Sequence, residues 1–252
     1  MGGLIWSGCS SGDATSKKPS ATPTSKKPSA TPTATPTRFD FTPDPQRAPK
    51  TPADGLRIAR AVAAGPESFG PGHVRGTPYE SDPARWAVLD ENCIWQRAPL
   101  PAGVLASLTH YVELPAEGAK GPLRFAATVT VHRDVSGADW ELARTLEEAL
   151  RCPDQQLSQG EKLTGLISRG VVFGSSANGY AEDTVAESGE YHSDALGGPH
   201  FYYWDQSRIG QVTTAVVGKA AKGRDQQEMH AGMQQAIGVM LNRVEEELEA
   251  TE

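Results

Sequence analysis

No apolar run in this 252-residue chain reaches the ~18 residues of a membrane-spanning helix, which excludes a transmembrane helix within it. Positive charge is in deficit. There are 24 Lys and Arg against 31 Asp and Glu, a net charge of -7, which argues against a general nucleic-acid binder. Three cysteines are too few for a disulfide-scaffold miniprotein. Aromatics are 7%, a low share for a globular chain. Motifs of common chemistry are missing too: no Gly-x-Ser-x-Gly elbow, no phosphate-cradling loop, no His-Glu-x-x-His, no Gly-x-Gly-x-x-Gly and no Cys-x-x-Cys. The histidines are scattered, and His192 and His200, separated by Gly197-Gly198-Pro199, lack ligand spacing. No cofactor and no metal are expected, and no residue earns a catalytic assignment.

Proline and glycine are plentiful, 19 and 26, and unevenly placed. The nonapeptide Thr-Ser-Lys-Lys-Pro-Ser-Ala-Thr-Pro runs from Thr15 to Pro23 and again from Thr24 to Pro32, with a fragment at Thr33 to Pro36. Such a segment has almost nothing to bury against the entropy of ordering. Frequent proline favours extended polyproline II, so residues 12–50 read as a low-complexity spacer. Its Ser/Thr/Pro content also suits O-linked sugars. Through residue 50 the basic side chains Lys17, Lys18, Lys26, Lys27, Arg38, Arg47 and Lys50 oppose Asp13, Asp40 and Asp44, so the acidity belongs to the remainder. A basic spacer on an acidic domain fits a tether along an anionic polymer, and equally a linker kept soluble by lysine.

Residues 51–252 read as one globular domain. Gly55 to Ala64 carries Leu56, Ala59, Val62 and Ala63 at helical spacing. Residues 65–83, rich in Gly and Pro, read as loop. Trp86 to Arg97 reads as a bulged strand carrying Cys93. Val104 to Leu114 alternates, with Val104, Ala106, Leu108, His110, Val112 and Leu114 on one face, and Phe125 to Val131 is the clearest strand. His110 is expected in the core or at an edge, His132 on the exposed polar side. A helix follows, with Ser136 and Asp139 as a capping box and Trp140, Ala143, Leu146 and Leu150 as its apolar face. Residues 160–198 are ambiguous, with one short strand near Gly170 to Phe173. Phe201 to Gln206 and Val212 to Lys219 read as paired strands. A long helix from Asp225 and Glu228 carries the stripe Met229, Met233, Ala236, Met240, Val244 and Leu248. Short connections between strands exclude parallel crossovers. The expected class is α+β, a mostly antiparallel sheet with packed helices.

Two cysteines remain in this domain, Cys93 and Cys152. With the export marks described next they read as one disulfide, pinning the central helix to the sheet. The run Leu196 to Trp204 leads from a Gly-Gly-Pro turn through His200 into four aromatics. In a strand, Phe201 and Tyr203 face one way and Tyr202 and Trp204 the other. One pair joins the core. The other, Tyr202 and Trp204 with His200 beside them, is the candidate stacking platform for a sugar or flat ligand; the alternative is a strand covered on both faces. The acidic stretch Asn178 to Asp194 is a candidate mobile lip or a plain solvated loop.

Leu4-Ile5-Trp6-Ser7-Gly8-Cys9-Ser10-Ser11-Gly12-Asp13 resembles the end of a bacterial lipoprotein signal. In that family a small residue precedes a cysteine that is diacylated and becomes the mature N-terminus. Trp6 stands where an aliphatic residue is usual, and only eight residues precede Cys9, so residues 1–11 read as a remnant or truncated signal. Acylation of Cys9 would anchor the chain in the outer face of the cytoplasmic membrane. The spacer would then hold the domain on the order of 100 Å away. Arginine outnumbers lysine, which fits the secreted lipoproteins of high-GC Gram-positive bacteria. Through its strand-borne cysteine, a second cysteine after a helix and a terminal helix, the domain is similar to the extracellular sensor domain of actinobacterial receptor Ser/Thr kinases and its stand-alone lipoprotein relatives. The resemblance implies an α+β domain with a groove; those relatives usually carry two disulfides, whereas this domain has cysteines for one. Three functions follow as expectations. The first is a cell-surface lipoprotein with a non-catalytic ligand-binding or sensing domain, partnered with the membrane and with a cell-wall polymer or small ligand, and not with nucleic acid. The second is a cell-wall hydrolase using Glu182, Asp183 or Asp205. The third is an interaction protein docking through its terminal helix.

Overall fold

The computed structural model describes residues 39–175 and 178–249; Cys9 and the repeats lie outside the described residues. The packed chain begins ahead of residue 51. Phe39 and Phe41 lie against the core, Asp44 N donates to Leu248 O at 2.8 Å, and Arg47 donates to the carbonyls of Glu246 and Glu249. Those two phenylalanines have apolar surface to bury, which the repeats lack.

In chain order the elements are α1 (Pro52–Val62), β1 (Val74–Glu80), β2 (Arg85–Leu89), β3 (Trp95–Pro99), β4 (Val104–Leu114), β5 (Leu123–His132), α2 (Val135–Arg151), β6 (Gln155–Ser158), β7 (Glu161–Val172), β8 (Asp183–Ser193), β9 (Gly197–Ile209), β10 (Val212–Lys219) and α3 (Gln226–Leu248). Eight strands form one sheet in the order β1-β4-β5-β10-β9-β8-β7-β6, all neighbours antiparallel, and β2 and β3 make a separate hairpin. The fold is α+β, as the strand spacing predicts.

The two sheet faces are covered differently. On one, α1 and α3 lie over β4, β5, β10 and β9 and bury Ile58, Leu108, Val129, Val131, Val216, Met233, Met240 and Val244. Every residue of the α3 stripe is buried. Gly218 allows the close approach of that helix: a Cβ there would lie 2.8 Å from Met229 Cγ. At the helix starts, Thr51 and Asp54 cap α1 reciprocally, and Asp225 accepts from Glu228 N on α3. The other face holds α2 and a smaller cluster of Ala149, Leu163, Leu166, Tyr191 and Tyr202.

Several expectations need correction. The segment 65–83 contains a 3-10 turn, Pro66–Phe69, and the edge strand β1. Trp86 to Arg97 is a hairpin, not one strand, and Cys93 sits in its turn at φ 61. Residues 160–198 hold two long strands, β7 and β8, and the stretch expected as a lip or loop is β8 from Asp183 onward. Helix α2 is capped by Asp134, which accepts from Gly137 N. It turns Ala138, Leu142 and Ala149 inward and leaves Trp140 69% and Leu150 84% exposed. Its sheet contact is largely polar, which is why the apolar stripe misidentifies it. Thr145 donates to Gln206 Oε1 at 2.7 Å, and Glu141 lies 2.7 Å from His132 Nε2 and accepts from Thr213 at 2.6 Å. His132, expected to be exposed, is therefore buried beneath α2. His110 is also buried, its ring against Tyr79 and its Nδ1 3.2 Å from the Tyr79 hydroxyl.

The disulfide Cys93–Cys152 is present. It ties the β2–β3 turn to the C-terminus of α2. Gln156 N donates to Cys93 O at 2.8 Å, Trp95 Nε1 to Gln155 Oε1 at 2.8 Å, and Arg151 Nη1 to Asp90 O at 3.0 Å. The hairpin is pinned to α2 and β6 rather than held as part of the sheet.

Candidate functional site

The helical layer of α1 and α3 ends at β9, while the sheet continues through β8 and β7. Along this step, successive cross-strand rows of side chains face the open side. One row is Ile167–Ser188–Tyr203, the next Arg169–Ala186–Asp205, the next Val171–Thr184–Ser207. A cavity of about 190 Å³ sits over the middle row, lined by Arg169, Val171, Tyr180, Thr184, Ala186, Asp205 and Gln234. Its wall is the side of α3. Residues Gln226, His230 and Gln234 recur every four positions there and all touch β9. Gln226 donates to the Tyr203 hydroxyl, the His230 ring stands edge-on to Tyr203 with centroids 4.0 Å apart, and Gln234 Nε2 donates to Asp205 Oδ2 at 3.1 Å.

The electrostatics of the cleft follow from partial burial. Desolvation pushes Asp205 up to about 6, against the donation from Gln234 and the charge of Arg169, which pull it down. Burial lowers His230. Burial, with Asp205 nearby, raises Tyr180. Three perturbed groups beside one concave surface define a candidate binding site.

Of the residues expected from sequence, Tyr202 and Trp204 face the opposite side of β9, toward α2. Tyr202 is 6% exposed and belongs to the smaller cluster, with Trp204 packed against it. Trp204 Nε1 is buried without a hydrogen-bond partner among the described residues. The helices α2 and α3 thus cover β9 on both faces, and no exposed stacking platform is formed by this pair. His200 is part-buried, its Nε2 2.9 Å from Leu196 O. It lines a second cavity of about 190 Å³ with Pro199, Phe201, Glu190 and Arg224. Tyr202 and Trp204 therefore do not meet His200 in one site.

The acidic suspects also separate. Glu182 and Asp183 both bind Arg208, each at 2.5 Å, and Asp139 of α2 lies 2.7 Å from Arg208 Nε. A guanidinium 7% exposed requires such partners. Asp205 stands on the other face of the sheet. A different pair of carboxyls is perturbed under α2. Glu187, 8% exposed, sits between Ser168 and Trp204 in a cross-strand row; burial raises it to about 7, with Ser168 opposing. Burial also raises Glu148 of α2 to about 7, with Glu187 adding to the rise and Arg144 and Arg151 opposing it.

At the far end of that face Glu161 collects Tyr191 Oη at 2.5 Å, Lys219 Nζ at 3.1 Å and Arg124 Nη1 at 3.5 Å. Burial raises the Glu161 carboxyl, but these partners outweigh it and hold it below its usual range. Among the described residues no group of three or more His, Cys, Asp or Glu is placed to hold a metal. Arg169, Tyr180, Ala186 and Gln234 escape sequence reading. Arg169 and Ala186 lie on strands broken in pattern by the Gly165 irregularity, and only the pairing of three strands brings Arg169 opposite Asp205.

No known family model matches the chain, and no curated protein matches it.

Proposed function

We propose that this chain is a cell-surface lipoprotein whose domain binds a ligand without transforming it, anchored through Cys9 at the outer face of the cytoplasmic membrane. The observation that carries the binding part is the cleft where the helical layer stops at β9, with Arg169, Tyr180, Asp205 and Gln234 converging on one cavity. The anchoring part rests on the residues around Cys9 and the Lys/Pro spacer, and the disulfide is compatible with an oxidising compartment. Against the hydrolase alternative stand the engagement of Glu182 and Asp183 by Arg208 and the position of Asp205 on the opposite face. The interaction-protein alternative finds no exposed stripe on α3, which is packed; the exposed Trp140 and Leu150 would move its docking face to α2.

Intact mass spectrometry of protein from membrane and soluble fractions of the native cell tests the anchor. A membrane form beginning at acylated Cys9 is expected. A soluble form retaining Met1 with an unmodified Cys9 overturns it. For the site, amide chemical-shift mapping with candidate ligands should move residues of β7–β9 and α3 around Asp205.

A further inference from the structure

The middle row of the cleft places two opposite charges on either side of a small residue. Arg169, Ala186 and Asp205 are Cα partners on three adjacent strands, so the two charged residues are separated by two strand spacings, about 9–10 Å between Cα atoms. All three line the same cavity. Arg169 and Asp205 feel each other's charge, yet no ion pair joins them among those of the described residues, and the Arg169 guanidinium has no hydrogen-bond partner there. Asp205 keeps one carboxylate oxygen, Oδ2, on Gln234. The other oxygen and the Arg169 guanidinium have no hydrogen-bond partner among the described residues, and both side chains line the cavity. A methyl group forms the floor between them, with Tyr180 and Thr184, whose hydroxyl is shared with Ser207 Oγ at 3.0 Å, at the wall.

Two unlike charges held apart over a small floor match a molecule that carries both charges itself. We propose that this cavity binds a free α-amino acid, its carboxylate on the Arg169 guanidinium and its ammonium on the Asp205 carboxylate, with the α-carbon above Ala186. The guanidinium offers two parallel N–H donors to a carboxylate, a pairing with defined geometry. The ammonium supplies the cation that the half-buried Asp205 lacks. A cavity of about 190 Å³ is large enough for one such molecule. A neutral sugar would leave the half-buried Asp205 carboxylate without a counter-cation in the cleft, which is unfavourable. This inference rests on the ligand-binding reading of the cleft and narrows it to one class.

The test is calorimetric titration of the full chain with the free L- and D-amino acids one at a time, each hit being repeated as its N-acetyl and its carboxamide derivative. At least one amino acid should bind. Blocking either end, or introducing Arg169→Gln or Asp205→Asn, should weaken binding about tenfold or more. Ala186→Leu, which fills the floor and leaves both charges in place, should abolish it. A circular-dichroism melt of each variant confirms that it folds. Absence of binding by every amino acid, or equal binding of the blocked derivatives, overturns the proposal. The same titrations with neutral monosaccharides separate the two failures. A monosaccharide that binds and is lost in Ala186→Leu overturns the amino-acid class and preserves the site. Silence from both sets counts against the cleft as a small-molecule site.

Discussion

Replacing Glu187 by Gln should leave stability unchanged in acid and raise it above neutral pH. Glu187 lies on β8 beneath α2, with Ser168 and Trp204 beside it in the same row, Tyr202 next to Trp204 on β9's α2 side, and Glu148 and Arg144 on the helix above. Its ordinary value of 4.5 is raised to about 7 by burial. The native state therefore holds a proton that the unfolded chain releases near 4.5. Native stability is full below that pH, declines as pH rises, and reaches its lower plateau once pH passes the native value near 7. At ~1.36 kcal/mol per pH unit of displacement, the loss across this window is about 3 kcal/mol. Glutamine has the same shape and no charge to bury, so the variant should not show this decline. Glu148 titrates in the same direction and leaves a residual slope in both proteins. The assay is urea unfolding followed by tryptophan fluorescence at about pH 4.5, 6 and 8. Equal stability at the lowest pH and a gain of about 3 kcal/mol at the highest are expected. Parallel pH curves for the two proteins, or a variant less stable at the highest pH, would refute the argument that burial outweighs Ser168 at Glu187.

Removing both cysteines by Cys93→Ala and Cys152→Ala reopens a loop with a sequence separation of 59. The chain-entropy account puts the loss at about 4 kcal/mol, measured as a shift in the urea midpoint relative to the oxidised protein. Met240→Ala removes a fully buried side chain between α3 and the sheet and should cost about 2–5 kcal/mol in the same assay. Trp140→Ser and Leu150→Ser, on the outward stripe of α2, should each change stability by less than about 0.5 kcal/mol; a larger loss in thermal or urea melts would place that stripe in the core.

The strands β4 and β5 were legible because each alternates over ten or more residues with one face in the main core, so a period of two survives in the sequence. The α3 stripe was legible for the corresponding reason at helical spacing. β7 and β8 were not. Their inward residues on the α2 side include Glu187 and Ser168 as well as Leu166 and Val185, and Gly165 sits at a positive φ of 62 where the register with β8 shifts. Polarity then no longer reports burial. The same failure misread α2, whose contact with the sheet runs through Thr145, Glu141, Gln206 and His132 rather than through its apolar stripe. Of the candidate site, only Asp205 was named from sequence, and as a hydrolytic acid.

What the sequence by itself determined was local or compositional: a repeat segment with almost no apolar residues, an acidic domain, the α+β class, the positions of the strongly periodic elements, and a cysteine pair with no third partner in the domain. Those properties follow from the period of apolar side chains and from what a segment has to bury. Where the helical layer ends, which face of β9 each aromatic joins, and which charge stands opposite which were decided by the tertiary structure alone. Arg169 and Asp205 are far apart in the chain and on strands joined through β8, so their meeting depends on a strand order and register that no local pattern encodes.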